Sequence, residues 1–152
     1  MHRINVAQYP WFAQRLKRDR ARSVRMQRLF LRPYKRWLKA GGRRVGGAYE
    51  WPRNCDGWKQ SANPCAAELE RTFPMACDFD GCRFNLRYRN QLLKKPWRIR
   101  TDHKCVKLAL HERFCLRNHR HAPSIGSAAR HSENYPRSLA ISIAHSLAKP
   151  VP

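Results

Sequence analysis

Between positions 115 and 121 the chain runs Cys-Leu-Arg-Asn-His-Arg-His, a thiol and two imidazoles within seven residues, and Cys105 lies ten positions earlier. Thiolate sulfur and neutral imidazole nitrogen are ligands that zinc prefers, and four of them close a tetrahedral site. Cys105, Cys115, His119 and His121 are therefore the candidate metal ligands. The spacing Cys105-x9-Cys115-x3-His119-x-His121 is no standard finger pattern, and only its Cys-x3-His pair falls within a usual short ligand interval. Two other readings stay open. The histidines are basic loop residues beside a core cysteine, or Cys77 and Cys82, on either side of Asp80-Gly81, form a second ligand pair that competes with Cys105.

The other residue with chemistry to offer is Glu50, the candidate catalytic group. It stands near the end of a glycine-flanked strand expected over 45–51, between Tyr49 and Trp51 and just before Pro52. A carboxyl given a fixed direction in a partly apolar setting is how a fold presents an acid to a ligand. Pairing with one of the many arginines is the plainer reading. The sequence holds no Walker loop, no G-x-G-x-x-G, no H-E-x-x-H and no G-x-S-x-G, so any catalysis leans on Glu50.

Charge points to the partner. Thirty-two Lys and Arg face ten Asp and Glu, a formal charge of +22, while 42% apolar residues separate the chain from disordered polyelectrolytes. Arginine outnumbers lysine, which favours phosphate, because a guanidinium forks onto two oxygens at once. Fourteen of the cations precede Val45, opposed only by Asp19. Arg18, Arg22, Arg25, Arg28, Arg32, Lys35, Arg36 and Lys39 form the first candidate nucleic-acid surface; Arg87, Arg98 and Arg100, on later strands, form the second. Neither distinguishes DNA from RNA. Phe84, Tyr88 and Trp97 alternate with these arginines and are expected to face the core, which leaves phosphate contact rather than base reading as the expectation.

No export signal is visible at the start, and the apolar run 139–148 is too short to span a bilayer, so an intracellular protein with reduced thiols and no membrane partner is expected.

The elements that must position these groups follow from periodicity. Residues 1–10 read as an unstructured lead. Residues 11–40 read as a basic amphipathic helix with Met26, Phe30, Tyr34, Trp37 and Leu38 on one face, broken at 31–33 by Pro33 and stopped by Gly41-Gly42. Gly46-Gly47 point to a close approach by another backbone or a ligand, or equally to a turn. Asn63 caps, and Pro64 opens, a helix to Thr72. Strands are expected at 75–79, at 82–88 after an Asp80-Gly81 hairpin turn, and at 97–100. A helix capped by Thr101 or Asp102 carries Val106, Leu110 and Phe114. Residues 115–126 read as loop, and a last helix carries Leu139, Ile143 and Leu147. The expected fold is α/β or α+β, a small mixed sheet with flanking helices. One basic domain would span 11–149, with an arginine-rich helical segment over 11–40 and a mixed part over 44–149.

Taken together, Glu50-Trp51-Pro52, the Cys77 to Leu86 segment, Lys95-Pro96-Trp97-Arg98-Ile99-Arg100-Thr101, then Cys115, His119, His121, Gly126 and Tyr135-Pro136 resemble the C-terminal half of a methyltransferase-like domain of mobile-element and phage-type proteins. That group is in turn similar to DNA cytosine-5 methyltransferases. The resemblance covers residues 34–147. It implies a Rossmann-like half domain, and it puts Glu50 in the place of the strand-terminal glutamate that contacts the target cytosine. Trp51-Pro52 replaces the Asn-Val of that motif, and neither a glycine-rich cofactor strand nor a Pro-Cys nucleophile loop precedes the basic helix. The resemblance therefore implies S-adenosylmethionine only if a missing N-terminal half is supplied. It implies a truncated or degenerate methyltransferase-like fragment, not active as this chain alone, as one alternative to a nucleic-acid-associated domain; a separate structural alternative is an inert fragment whose exposed helix face needs a missing protein partner.

Overall fold

The computed structural model describes residues 9–41 and 46–150. The expected lead up to position 8, Gly42 and Val45 lie outside them. The described residues fall into two compact units, 9–41 with 57–67 and 46–56 with 68–150, and the expected span 11–149 covers both.

The first unit is built on α1, Pro10–Lys39, with proline in its first turn, where a missing N–H costs nothing. The helix runs on through Pro33, where a break was expected. Pro33 deprives the Leu29 carbonyl of its intrahelical donor, and Leu29 is 56% exposed, on the solvent side of the helix. Gly41 adopts φ +75, the left-handed conformation that ends the helix where expected. The buried stripe matches the expected one only at Tyr34 and Leu38. Gln27 and Leu31 are fully buried, with Ser23, Val24, Tyr34 and Leu38 half-buried, while Met26, Phe30 and Trp37 are exposed. Tyr34 and Leu38 belong to both sets, so the buried face is the expected one turned toward Gln27 and Leu31 by less than the roughly 100° between successive residues. Gln27 accepts a hydrogen bond from Asn63 Nδ2 (3.0 Å), which also donates to the Gly57 carbonyl, while Asn63 Oδ1 accepts from the Cys65 N–H. Asn63 thus caps the approach to α2, Ala66–Thr72, as its position before Pro64 predicts.

The second unit holds an antiparallel sheet in the order β1 (Ala48–Pro52), β5 (Pro96–Thr101), β2 (Met75–Asp80). This is the α+β alternative. A Rossmann-like half domain or a mixed sheet would need parallel strands joined by crossovers, and the strands described here pair only antiparallel. The alternation read in β5 is realised: Trp97, Ile99 and Thr101 are buried and Arg98 and Arg100 lie on the other face. Trp97 and Ile99 pack with Cys77, Phe79, Phe84, Leu86, Leu93, Val106, Leu110 and Leu139 into one core.

The segment 82–88 is not the strand its alternation suggested. Gly81–Phe84 is a 3₁₀ turn, Asn85 takes φ +60, and only β3, Arg87–Tyr88, is extended, paired with β4, Gln91–Leu92. Cys82, Phe84 and Leu86 are nonetheless buried and Arg83, Asn85 and Arg87 exposed. Period two was a true signal of burial, achieved here by a tight turn.

After β5, Thr101 Oγ1 accepts the His103 N–H and Asp102 Oδ1 accepts the Gly47 N–H, so His103, not Thr101 or Asp102, is the residue from which α3, Lys104–Leu110, starts. Gly46, at φ +73, lies so close to the His103 ring that any β-carbon would strike it; the close approach is made by a side chain, where another backbone or a ligand was expected. His103 Nε2 lies 3.1 Å from the Lys149 carbonyl. Val106 and Leu110 are buried, but α3 stops at Leu110, leaving Phe114 41% exposed and off that face. A short helix α4, Gly126–His131, follows the loop, and α5, Arg137–Leu147, buries Leu139 with Ile143 and Leu147 against the core.

Candidate metal centre

The loop after α3 is tied at both ends. At its start, Phe79 and Arg113 form a bridge, the Asp80 N–H donates to the Arg113 carbonyl, and Asp80 Oδ2 accepts the Cys115 N–H at 2.9 Å. At its end, Leu92 and His121 form a bridge and the Ala122 N–H donates to the Leu92 carbonyl. These ties lay Cys115, His119 and His121 against the 3₁₀ turn that carries Cys82. The four candidate ligand atoms lie within 4.8 Å of one another.

Cys115 Sγ is 3.6 Å from His119 Nε2 and 3.4 Å from His121 Nε2, and the two rings meet edge to face at 4.6 Å. A tetrahedral zinc ion with ordinary Zn–S and Zn–N bonds separates sulfur from nitrogen by about 3.6 Å. Both separations from Cys115 to the imidazoles are at coordination spacing and Cys82 lies within 4.8 Å of all three, so the cluster could hold a metal ion such as zinc. His119 Nδ1 is 2.9 Å from Asn118 Oδ1; because that oxygen only accepts, Nδ1 carries the proton and Nε2 keeps the lone pair that a metal needs. The Arg117 N–H donates to Cys115 Sγ, the kind of bond that stabilises a thiolate. Four protein ligands would leave no open position, the pattern of a structural rather than a catalytic site.

Without a cation the Cys82 thiol is pushed up to about 12, first by burial and then by the adjoining Cys115 sulfur and Asp80. The Cys82 thiol therefore holds its proton at neutral pH, and a divalent ion would have to displace it. His121 is lowered below the usual imidazole value by burial, His119 and Lys94, with Asp80 opposing. Asp80 is 2% exposed; its Oδ1 has no hydrogen-bond partner, and Arg53 and Lys94 each stand 4.0 Å from the carboxylate.

Three of the four expected ligands thus come together, and the fourth is corrected. Cys105 lies half-buried on α3 outside the cluster, and Cys82 takes its place. The reason is the tie between the loop and the end of β2, which delivers it to the residue just past that strand. Cys77, weighed as a partner of Cys82, is sealed in the core with its thiol pushed up to about 11 by burial. Asp80, which anchors the loop, was legible only as half of a turn.

Glu50 lies apart from this centre. Its Oε2 accepts the Tyr135 hydroxyl at 2.5 Å and its Oε1 is buried without a partner, so its partner is a tyrosine and not an arginine. Burial raises its carboxyl above the usual glutamate range, against the Tyr135 hydrogen bond and the charge of Lys95.

The cations divide into two groups. Arg18, Arg22, Arg25, Arg28, Arg32, Lys35, Arg36 and Lys39 are all exposed along α1. Arg98, by contrast, forks onto both oxygens of Asp78 at 2.7 and 2.8 Å, and Arg100 reaches Glu70 and the Phe73 carbonyl, so both serve acids or carbonyls of their own unit. Arg87 is exposed and held by Asn85 and Asn90. Phe84 and Trp97 are buried, and Tyr88 is half-buried with its hydroxyl 2.7 Å from Ser127. No described helix is long and apolar enough to cross a membrane. Compared with known proteins, the chain matches no family model, no curated protein and no solved structure.

Proposed function

We propose that this chain is a zinc-stabilised nucleic-acid-binding module. Cys82, Cys115, His119 and His121 hold the ion and so fix the loop, while the cations of α1 neutralise phosphates. The observation that carries the binding part is the helix itself: every lysine and arginine of Pro10–Lys39 is exposed, and Asp19 is its only acid. A helix so one-sided in charge repels itself unless a polyanion condenses along it. Phosphate contact of this kind serves DNA and RNA alike.

Zinc content and salt dependence test the two halves separately. Reduced protein should carry one equivalent of zinc by elemental analysis. Affinity for a short nucleic-acid duplex should fall roughly a thousand-fold between 50 and 200 mM salt if about six phosphates are neutralised. An affinity indifferent to salt overturns the binding reading, and metal-free protein with an ordered 113–122 loop overturns the zinc reading.

The methyltransferase-like alternative would run through Glu50, and what favours it is the half-buried carboxyl with one unpartnered oxygen, although it sits in the middle of β1 and not at the strand's end that the resemblance implies. It calls for a separate half that brings S-adenosylmethionine. Titration calorimetry with that cofactor, in the presence of such a half, is its test.

A further inference from the structure

Between the 3₁₀ turn Gly81–Phe84 and the start of α5 runs a groove of about 630 Å³, a volume typical of small-ligand sites. No acid lines it. Arg87 and Arg137 stand there with Asn85 and Asn134, and Tyr135 and Ile141 supply apolar surface. Tyr135 is 47% and Ile141 43% exposed, so this surface is uncovered in the isolated chain.

The groove is held open by its own bonds. Ser138 Oγ donates to the Phe84 carbonyl at 2.5 Å and pins α5 to the turn. The Tyr135 ring meets Trp97 edge-on at 5.8 Å while its hydroxyl donates to Glu50, which fixes the ring before any ligand arrives. Asn85 Oδ1 and the Asn90 carbonyl take the Arg87 guanidinium from one side and set its direction. A preset aromatic ring and a preset cation lose little entropy on binding.

Three chemical demands follow. Two guanidinium groups with no acid among them call for an anion, a fixed aromatic ring calls for a flat partner, and two carboxamides call for an edge of donors and acceptors. A nucleotide whose base is unpaired meets all three. We infer that this groove takes one unpaired nucleotide of a single strand, its phosphate toward Arg87 and Arg137 and its base against Tyr135 and Ile141. The inference rests on the nucleic-acid reading above but uses residues other than those of α1. A base inside a duplex cannot reach such a groove, so the chain prefers single strands.

The test compares two labelled polymers of equal length, oligothymidylate and its abasic counterpart, by fluorescence anisotropy with the full zinc-loaded chain at fixed salt. Oligothymidylate should bind about tenfold more tightly. Tyr135→Ala should abolish that difference while Tyr135→Phe keeps it, and both should bind the abasic polymer as the unaltered chain does. Ile141→Gln, at an exposed position that folding does not need, should shrink the difference and covers the case in which Tyr135→Ala fails to fold. Equal affinity of the unaltered chain for the two polymers overturns the groove and leaves phosphate binding standing. Binding to neither overturns both readings. A difference that survives both Tyr135→Ala and Ile141→Gln puts the base elsewhere and overturns the groove.

Discussion

Cys82 and Cys105 carry the same thiol, and only their positions relative to the tied loop separate them. Cys82→Ser should therefore remove the zinc equivalent, and with it the thiolate absorption of the cobalt-substituted protein, while Cys105→Ser should leave both intact. Asp80→Ala withdraws the acceptor of the Cys115 N–H and should weaken zinc binding by about 10- to 100-fold, the usual cost of losing an outer-shell partner; competition with a chromophoric chelator measures it. Glu50 gives a pH effect of definite sign. Its folded carboxyl titrates above the unfolded one, so in the interval from about 4.3 up to the raised folded value the native state holds more protons. Stability should fall as pH rises through that interval, and Glu50→Gln, which still offers Tyr135 an acceptor, should flatten that slope in urea titrations at a series of pH values.

Elements were legible where local chemistry decides them. Asn63-Pro64 announced a cap, Trp97 to Arg100 announced a two-faced strand, and Leu139, Ile143 and Leu147 announced the last helix; each is found. What failed depended on contacts distant in sequence. The stripe of α1 was read from its aromatics, yet Gln27 is drawn inside by Asn63, thirty-six positions away, and a lone glutamine carries no periodic signal. Alternation over 82–88 reported which side chains are buried but not that the backbone turns, because a left-handed Asn85 is invisible to hydropathy. The metal loop was half legible: the thiol and imidazoles are neighbours in sequence, whereas Cys82 arrives only through the bridge between Phe79 and Arg113. Trp97, 1% exposed in the central strand, is the element-scale probe. Trp97→Ala should cost about 3–5 kcal/mol in denaturant unfolding, as large-to-small changes in a close-packed core do.

At the scale of the molecule, a charge of +22 opposes compaction wherever it is not neutralised, and the two units neutralise it differently. The sheet unit spends Arg98 on Asp78 and Arg100 on Glu70, while α1 leaves its cations at the surface. A polyanion should therefore raise the thermal midpoint at low salt and lose that effect as salt rises, a shift that calorimetry would read. Removing zinc with a chelator should lower the midpoint independently of salt, since it releases a loop and not a charge cloud. His103 has a further effect. Its ring underlies Gly46, its Nε2–H points at the Lys149 carbonyl and its main-chain carbonyl receives the Val106 N–H, so the entrance to β1, the first turn of α3 and the chain beyond α5 lean on one residue. Three stretches far apart in sequence should then breathe in unison: in deuterium exchange, the amides of Gly47 and Val106 should open at a common rate, and widening that imidazole's berth at either end would quicken both.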